Sequence, residues 1–159
     1  MHLPYIAHLM GSRPYTLVPI MVGALSEGAE EQYGRLLARY LSDPHNLFII
    51  STDFCHWGER FNFTFHDPAH GQIYQSIQAL DEQGMDLIEK QDAKGYAKYQ
   101  RDFGNTICGR HPIAVLLHTL AACAPHGHKL KFVSYAQSSE CRRVDESSVS
   151  YASAVVYSG

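Results

Sequence analysis

Leu47-Phe48-Ile49-Ile50-Ser51-Thr52-Asp53-Phe54-Cys55-His56-Trp57-Gly58 is the stretch on which the fold turns. Its opening apolar run has the look of a buried parallel strand. A carboxylate, a thiol, an imidazole and the chain's only tryptophan follow directly. In open α/β sheets, ligands bind at the C-terminal edge of such strands. Upstream, residues 15–22 are apolar and β-branched and predict another strand. Ser26 then reads as an N-cap, with Glu27, Glu30 and Glu31 near the positive end of a helix. Tyr33, Leu36, Leu37, Tyr40 and Leu41 form its apolar stripe, and Asp43-Pro44-His45-Asn46 stops it. Strand, helix and strand in this order predict a right-handed parallel crossover.

Downstream, Phe61, Phe63 and Phe65 alternate in a loop that reads as an edge strand or a lid. Asp67-Pro68 predicts a helix start, carried on by Ile73, Ile77 and Leu80, with a break at Gly84. Asp92 caps a helix through Phe103, and Pro112 opens one with Ile113, Leu116, Leu117 and Leu120 on one face. Residues 129–137 and 148–156 predict two final strands. The apolar opening at Leu3, Tyr5, Ile6 and Leu9 has no polar lead-in.

A length of 159 residues suits one domain. Hydrophobic residues make up 45% and charged residues 18%, the balance of a packed globular protein. A net charge of −3 gives no basic field for nucleic acid. The 10 histidines are scattered, and only His126 and His128 are closely spaced, in a loop-like stretch. The cysteines, Cys55, Cys108, Cys123 and Cys141, lack the Cys-x-x-Cys spacing of a structural zinc site. No signal peptide is expected. The apolar stretch 112–125 is too short for the roughly 20 residues of a membrane span. A cytoplasmic protein with reduced thiols is the expectation.

Asp53 and His56, three residues apart, read in two ways. Asp53 either orients His56 as a general base or caps a loop beside a structural histidine. Cys108 precedes a proline-initiated helix and has Arg110 nearby. It reads as a nucleophile or soft metal ligand, or as a small buried hydrophobe. Cys55, between Phe54 and Trp57, reads as packing. Cys123 reads as core, and Cys141, beside Arg142 and Arg143, as exposed. Arg60, beside the aromatic loop, suits a phosphate or phosphotyrosine, whereas Arg142 and Arg143 read as solvated. A metal-free thiol hydrolase using Cys108, His56 and Asp53 is a further alternative.

Six blocks carry a resemblance. They are Met1-His2-Leu3-Pro4-Tyr5, Val22-Gly23-Ala24-Leu25-Ser26, and Ser51-Thr52-Asp53-Phe54-Cys55-His56-Trp57-Gly58. The others are Asn105-Thr106-Ile107-Cys108-Gly109-Arg110-His111-Pro112, Tyr135-Ala136-Gln137-Ser138-Ser139, and Ser147-Ser148-Val149-Ser150-Tyr151-Ala152. Together they resemble the C-terminal half of the Memo family, mediators of receptor-tyrosine-kinase-driven cell motility. The resemblance implies one Memo-like domain over residues 1–159, with an α/β fold: a mixed sheet flanked by helices, similar to part of a class III extradiol dioxygenase. Those enzymes hold non-haem iron with two histidines and a glutamate. Memo proteins place a cysteine where the enzymes have the glutamate, and Cys108 matches it. His56 matches the dioxygenase base, with Asp53 its neighbour. The two metal-binding histidines belong to the N-terminal half, which has no counterpart here.

The resemblance therefore implies a cytoplasmic signalling and binding protein, and Arg60 and Trp57 are the expected ligand contacts. Its partners would be phosphotyrosine segments of receptor tyrosine kinases, and its iron or copper site is incomplete in this chain. The alternative is a metal-dependent redox enzyme completed by ligands from the other half. Without that half, an exposed strand edge and apolar face predict low stability and self-association.

Overall fold

A computed structural model describes residues 2–123 and 127–158. Met1 and His126 lie outside the described residues, and with His126 the expected His126–His128 pair. Helix α1 spans Leu3–Met10, α2 Glu27–Leu41, α3 Ile73–Glu89, α4 Ala93–Phe103 and α5 Arg110–Ala122. Strand β1 covers His56–Trp57, β2 His128–Gln137 and β3 Ser148–Ser158. Short 3-10 turns at Glu59–Phe61 and Pro68–His70 link β1 to α3.

Local chemistry sets several boundaries. The Ser26 hydroxyl accepts the Ala29 amide at 3.3 Å and starts α2 as its sequence predicts. Asp92 does the same for α4 through Gly95 at 2.8 Å. Gly104 ends α4 at φ 59°, a left-handed conformation that suits glycine. Asp67-Pro68 starts only a 3-10 turn. Gly71 at φ 89° interrupts the chain, so α3 begins at Ile73. There the Gln75 side chain accepts the Gln72 amide at 2.8 Å. Gly84 does not break α3: its missing Cβ leaves room for the Tyr99 ring of α4. Helix α5 opens two residues before Pro112, which fits within the first turn.

The fold class is α/β, but the expected parallel crossover does not form. The sheet runs β1-β3-β2, and every described pairing is antiparallel. Residues 15–22 and 47–52 form no strand, because a strand needs a neighbour to satisfy its backbone groups and none of the described residues pairs with them. His56 therefore sits within β1, opposite Val149, rather than in a loop past a parallel strand.

The main core gathers Leu80, Ile88, Tyr96, Tyr99, Leu117, Leu120 and Leu130 from α3, α4, α5 and β2, with Phe54 just before β1 and Ile107 just before α5. A smaller cluster joins Cys55, Trp57, Ile73, Ile77 and Cys141. Cys141 is fully buried, not exposed, since it packs in this cluster and its carbonyl accepts the Tyr74 amide at 2.9 Å. The stripe on α2 is only partly used: Tyr33, Leu36 and Tyr40 remain exposed. Helix α2 instead meets α5 through Gly34, where a Cβ would stand 2.4 Å from the His118 Cβ.

Candidate functional site

The backbone of residues 52–56 carries the site. The Asp53 amide donates to the Cys108 sulfur at 3.0 Å. The Thr52 hydroxyl accepts the Gly109 amide at 2.9 Å and donates to the Asp53 carbonyl at 2.8 Å. Thr52 therefore pins the turn after Cys108 against the turn before His56. Gly109 is required there, because a Cβ would meet the Thr52 side chain at 2.4 Å. Thr106 holds His56 from the other side. Its hydroxyl accepts the His56 amide at 2.7 Å and donates to the His56 carbonyl at 2.9 Å.

These constraints bring the site residues together. One ligand atom from each of Asp53, His56 and Cys108 lies within 4.8 Å of the others. The His56 Nε2 is 3.8 Å from an Asp53 carboxylate oxygen, an approach longer than a hydrogen bond. That nitrogen is buried and has no hydrogen-bond partner among the described residues. Cys108 is exposed and is a free thiol. A nitrogen and a carboxylate beside an open sulfur can hold a soft or borderline metal ion, or move a proton next to a nucleophile.

The other two predicted residues stand apart. Trp57 is 1% exposed, and its indole N–H donates to the Phe65 carbonyl at 2.8 Å. That bond ties the aromatic loop down, and a fully packed indole leaves no face for a ligand. Arg60 lies over the Phe61 ring at 4.4 Å, and the Phe61 ring meets His56 edge to face at 5.1 Å. Arg60 is thus linked to the site through one aromatic ring. Arg142 and Arg143 are exposed and paired with Glu140 and Asp145.

Beneath the site lies a polar centre that the motifs do not single out. Asp81 is fully buried. It accepts the Cys55 amide at 3.3 Å, the Asn105 side chain at 2.9 Å and the Tyr135 hydroxyl at 2.9 Å. Burial pushes its carboxyl above the usual carboxylate range, against the pull of these donors. Burial likewise pushes up the thiol of Cys55, which excludes it as a nucleophile. Asp81 ties the strand carrying His56 to the loop carrying Cys108. Its only sequence signal is a charge on the apolar face of α3, between Ile77, Leu80 and Ile88. A second titratable pair, His111 on α5 and buried Glu30 on α2, meets at 2.6 Å and clamps those helices together.

The family model described as Memo-like protein matches residues 1–155. The human "Protein MEMO1" is 49% identical over 156 residues, covering 96% of this chain and 52% of the relative. The zebrafish protein of that name is 51% identical over the same span. The "Protein memo-1 homolog" of Caenorhabditis elegans is 44% identical over 161 residues, covering 99% of this chain and 46% of its own. This chain therefore spans about half the length of the curated relatives it matches. With a family match along nearly its whole length and close to half of its residues shared with these relatives, the chain belongs to the Memo family.

Proposed function

We propose that this chain is a Memo-type signalling and binding protein of receptor-tyrosine-kinase-driven cell motility, acting in the cytoplasm. Asp53, His56 and Cys108 are then its share of a dioxygenase-like metal pocket. The supporting observation is the approach of a thiol, an imidazole and a carboxylate to within 4.8 Å. Sulfur and nitrogen donors together suit copper or iron, and the buried His56 Nε2 has a free position for a ligand or a proton. An ion bound there would supply Lewis-acid or one-electron chemistry. Cys108 would hold it from the exposed side, with His56 and Asp53 placing a proton and a negative charge beside it. Arg60, carried by the Trp57-anchored loop, would offer a cation to a phosphotyrosine phosphate.

Non-haem iron takes three protein ligands as a rule, and Asp53 reaches His56 only at 3.8 Å. Iron or copper is therefore held weakly by this chain and is completed by ligands from elsewhere. Dialysis after loading with copper or iron tests this. The metal is expected to be lost. Stoichiometric metal that survives dialysis, and that Cys108→Ser removes, would show instead that these residues suffice. Titration with a phosphotyrosine peptide, with and without Arg60→Ala, tests the recognition role; equal binding by both proteins would remove Arg60 from it. The unpartnered His56 nitrogen favours a second reading, a metal-dependent redox enzyme completed by the other half of the family fold. Metal-dependent oxygen consumption lost in His56→Ala would select it.

A further inference from the structure

The backbone of His56 is fastened, and its ring is not. The Thr106 hydroxyl bonds to both the amide and the carbonyl of His56, and Val149 lies opposite in the sheet. No hydrogen bond reaches the imidazole among the described residues. Its buried Nε2 has no partner, and the Asp53 carboxylate stops at 3.8 Å. A histidine that serves a metal is ordinarily oriented by a hydrogen bond to its other ring nitrogen. A fixed backbone alone still leaves χ1 three staggered wells. Another contact must select the rotamer that keeps a ring nitrogen within 4.8 Å of ligand atoms on both Asp53 and Cys108.

We propose that Phe61 is the positioning residue of His56, the group that holds its imidazole in the site-facing rotamer. The two rings lie 5.1 Å apart at 88°, the edge-to-face arrangement that aromatic pairs favour. The turn that carries Phe61 is itself closely specified. The Phe61 amide donates to the Gly58 carbonyl and the Asn62 amide to the Glu59 carbonyl, both at 2.9 Å. The Gly58 amide closes the turn on the Phe63 carbonyl at 2.7 Å. Asn62 takes φ 54°, a left-handed conformation that asparagine tolerates better than most residues. Arg60 covers a face of Phe61 at 4.4 Å. The alternation of Phe61, Phe63 and Phe65 therefore divides by role. Phe63 and Phe65 pack against the main core, and Phe65 meets Phe103. Phe61 alone of the three meets His56. The inference takes from the proposed function only that His56 is a site residue, and both the binding and the redox readings need its ring held.

Three-bond NMR couplings across χ1 of His56, measured on the isotope-labelled full 159-residue chain without metal, test this. The unaltered chain is expected to show one rotamer. Phe61→Leu should shift the ratio of that rotamer to the others by about tenfold, giving averaged couplings. Slow exchange of the His56 amide in the variant would show that the Thr106 contact and the fold persist, so the change belongs to the ring. Phe61→Tyr keeps the aromatic edge and should restore the single rotamer, which a role in stability alone would not require. Phe61→Met takes the place of Phe61→Leu if that variant does not fold. An averaged ring in the unaltered chain would overturn the proposal. So would a single rotamer retained in Phe61→Leu, or averaging in Phe61→Tyr equal to that in Phe61→Leu. Because no metal is present, failure of the metal reading in the dialysis experiment leaves this result unaltered.

Discussion

Residues 2–53 and residues 54–158 form two unlike regions of one chain. In the first, only Glu30 and Gly34 are buried, and helix α1 buries nothing. Leu3, Tyr5, Leu9, Leu17, Val18, Ile20 and Met21 are all exposed there. In the second, two apolar clusters and the Asp81 network close around α3, α4, α5 and the sheet. Mean composition does not separate them, since both regions are rich in apolar residues. What differs is whether a facing layer exists. An amphipathic element is stabilised by the surface that covers it far more than by its own propensity. Asp53, His56 and Cys108 sit on the seam, so one wall of the site is closely packed and the other is exposed.

The sharpest way to break this contrast is to attack the packed side. Asp81→Ala leaves the Cys55 amide, the Asn105 side chain and the Tyr135 hydroxyl without their shared acceptor. A loss of about 3 kcal/mol or more is expected, read as a lower urea midpoint. No loss would mean that the network adds nothing to the second region. Gly34→Ala attacks the seam between α2 and α5. With a Cβ 2.4 Å from that of His118, a loss of about 1–3 kcal/mol is expected, together with faster amide exchange in α2. Unchanged exchange would show that α2 is not held by this contact.

A smaller effect is a pH slope. The Asp81 carboxyl is raised in the folded state, so the fold binds its proton more tightly than the unfolded chain does. Its contribution is complete at acid pH and is lost as pH rises through the ordinary carboxylate range to its raised value. Asp81→Asn should flatten that part of the stability profile measured by urea unfolding at several pH values. An unchanged profile would assign the slope to other groups. The smallest effect belongs to the open region. Leu17→Ala, at 45% exposure, should change stability by no more than about 0.5 kcal/mol. A loss as large as that of a core leucine, about 2–5 kcal/mol, would show that the first region is packed in solution.

Much of the secondary structure is legible along the chain. The caps at Asp92 and Ser26, the apolar face of α5 and the two long final strands need only local spacing and turn chemistry. Gly84 misleads because its role, room for Tyr99, belongs to a neighbouring helix. Cys141 misleads because charged neighbours in sequence need not be neighbours in space. Residues 15–22 and 47–52 have the composition of strands and no described partner, so their propensity goes unrealised.

Sequence alone singled out Asp53, His56 and Cys108, which fall in blocks specific enough to place the chain in its family. It also determined the order of helices and strands wherever the signal was a cap, a period or a turn. Only the tertiary structure decided that the Cys108 thiol accepts the Asp53 amide beside the His56 imidazole, that Thr52, Thr106 and Asp81 hold these segments together, and that every described sheet pairing is antiparallel. The physical reason is distance along the chain. Cys108 and Asp53 are 55 residues apart, and what brings such groups together is the burial of surfaces that neither residue carries.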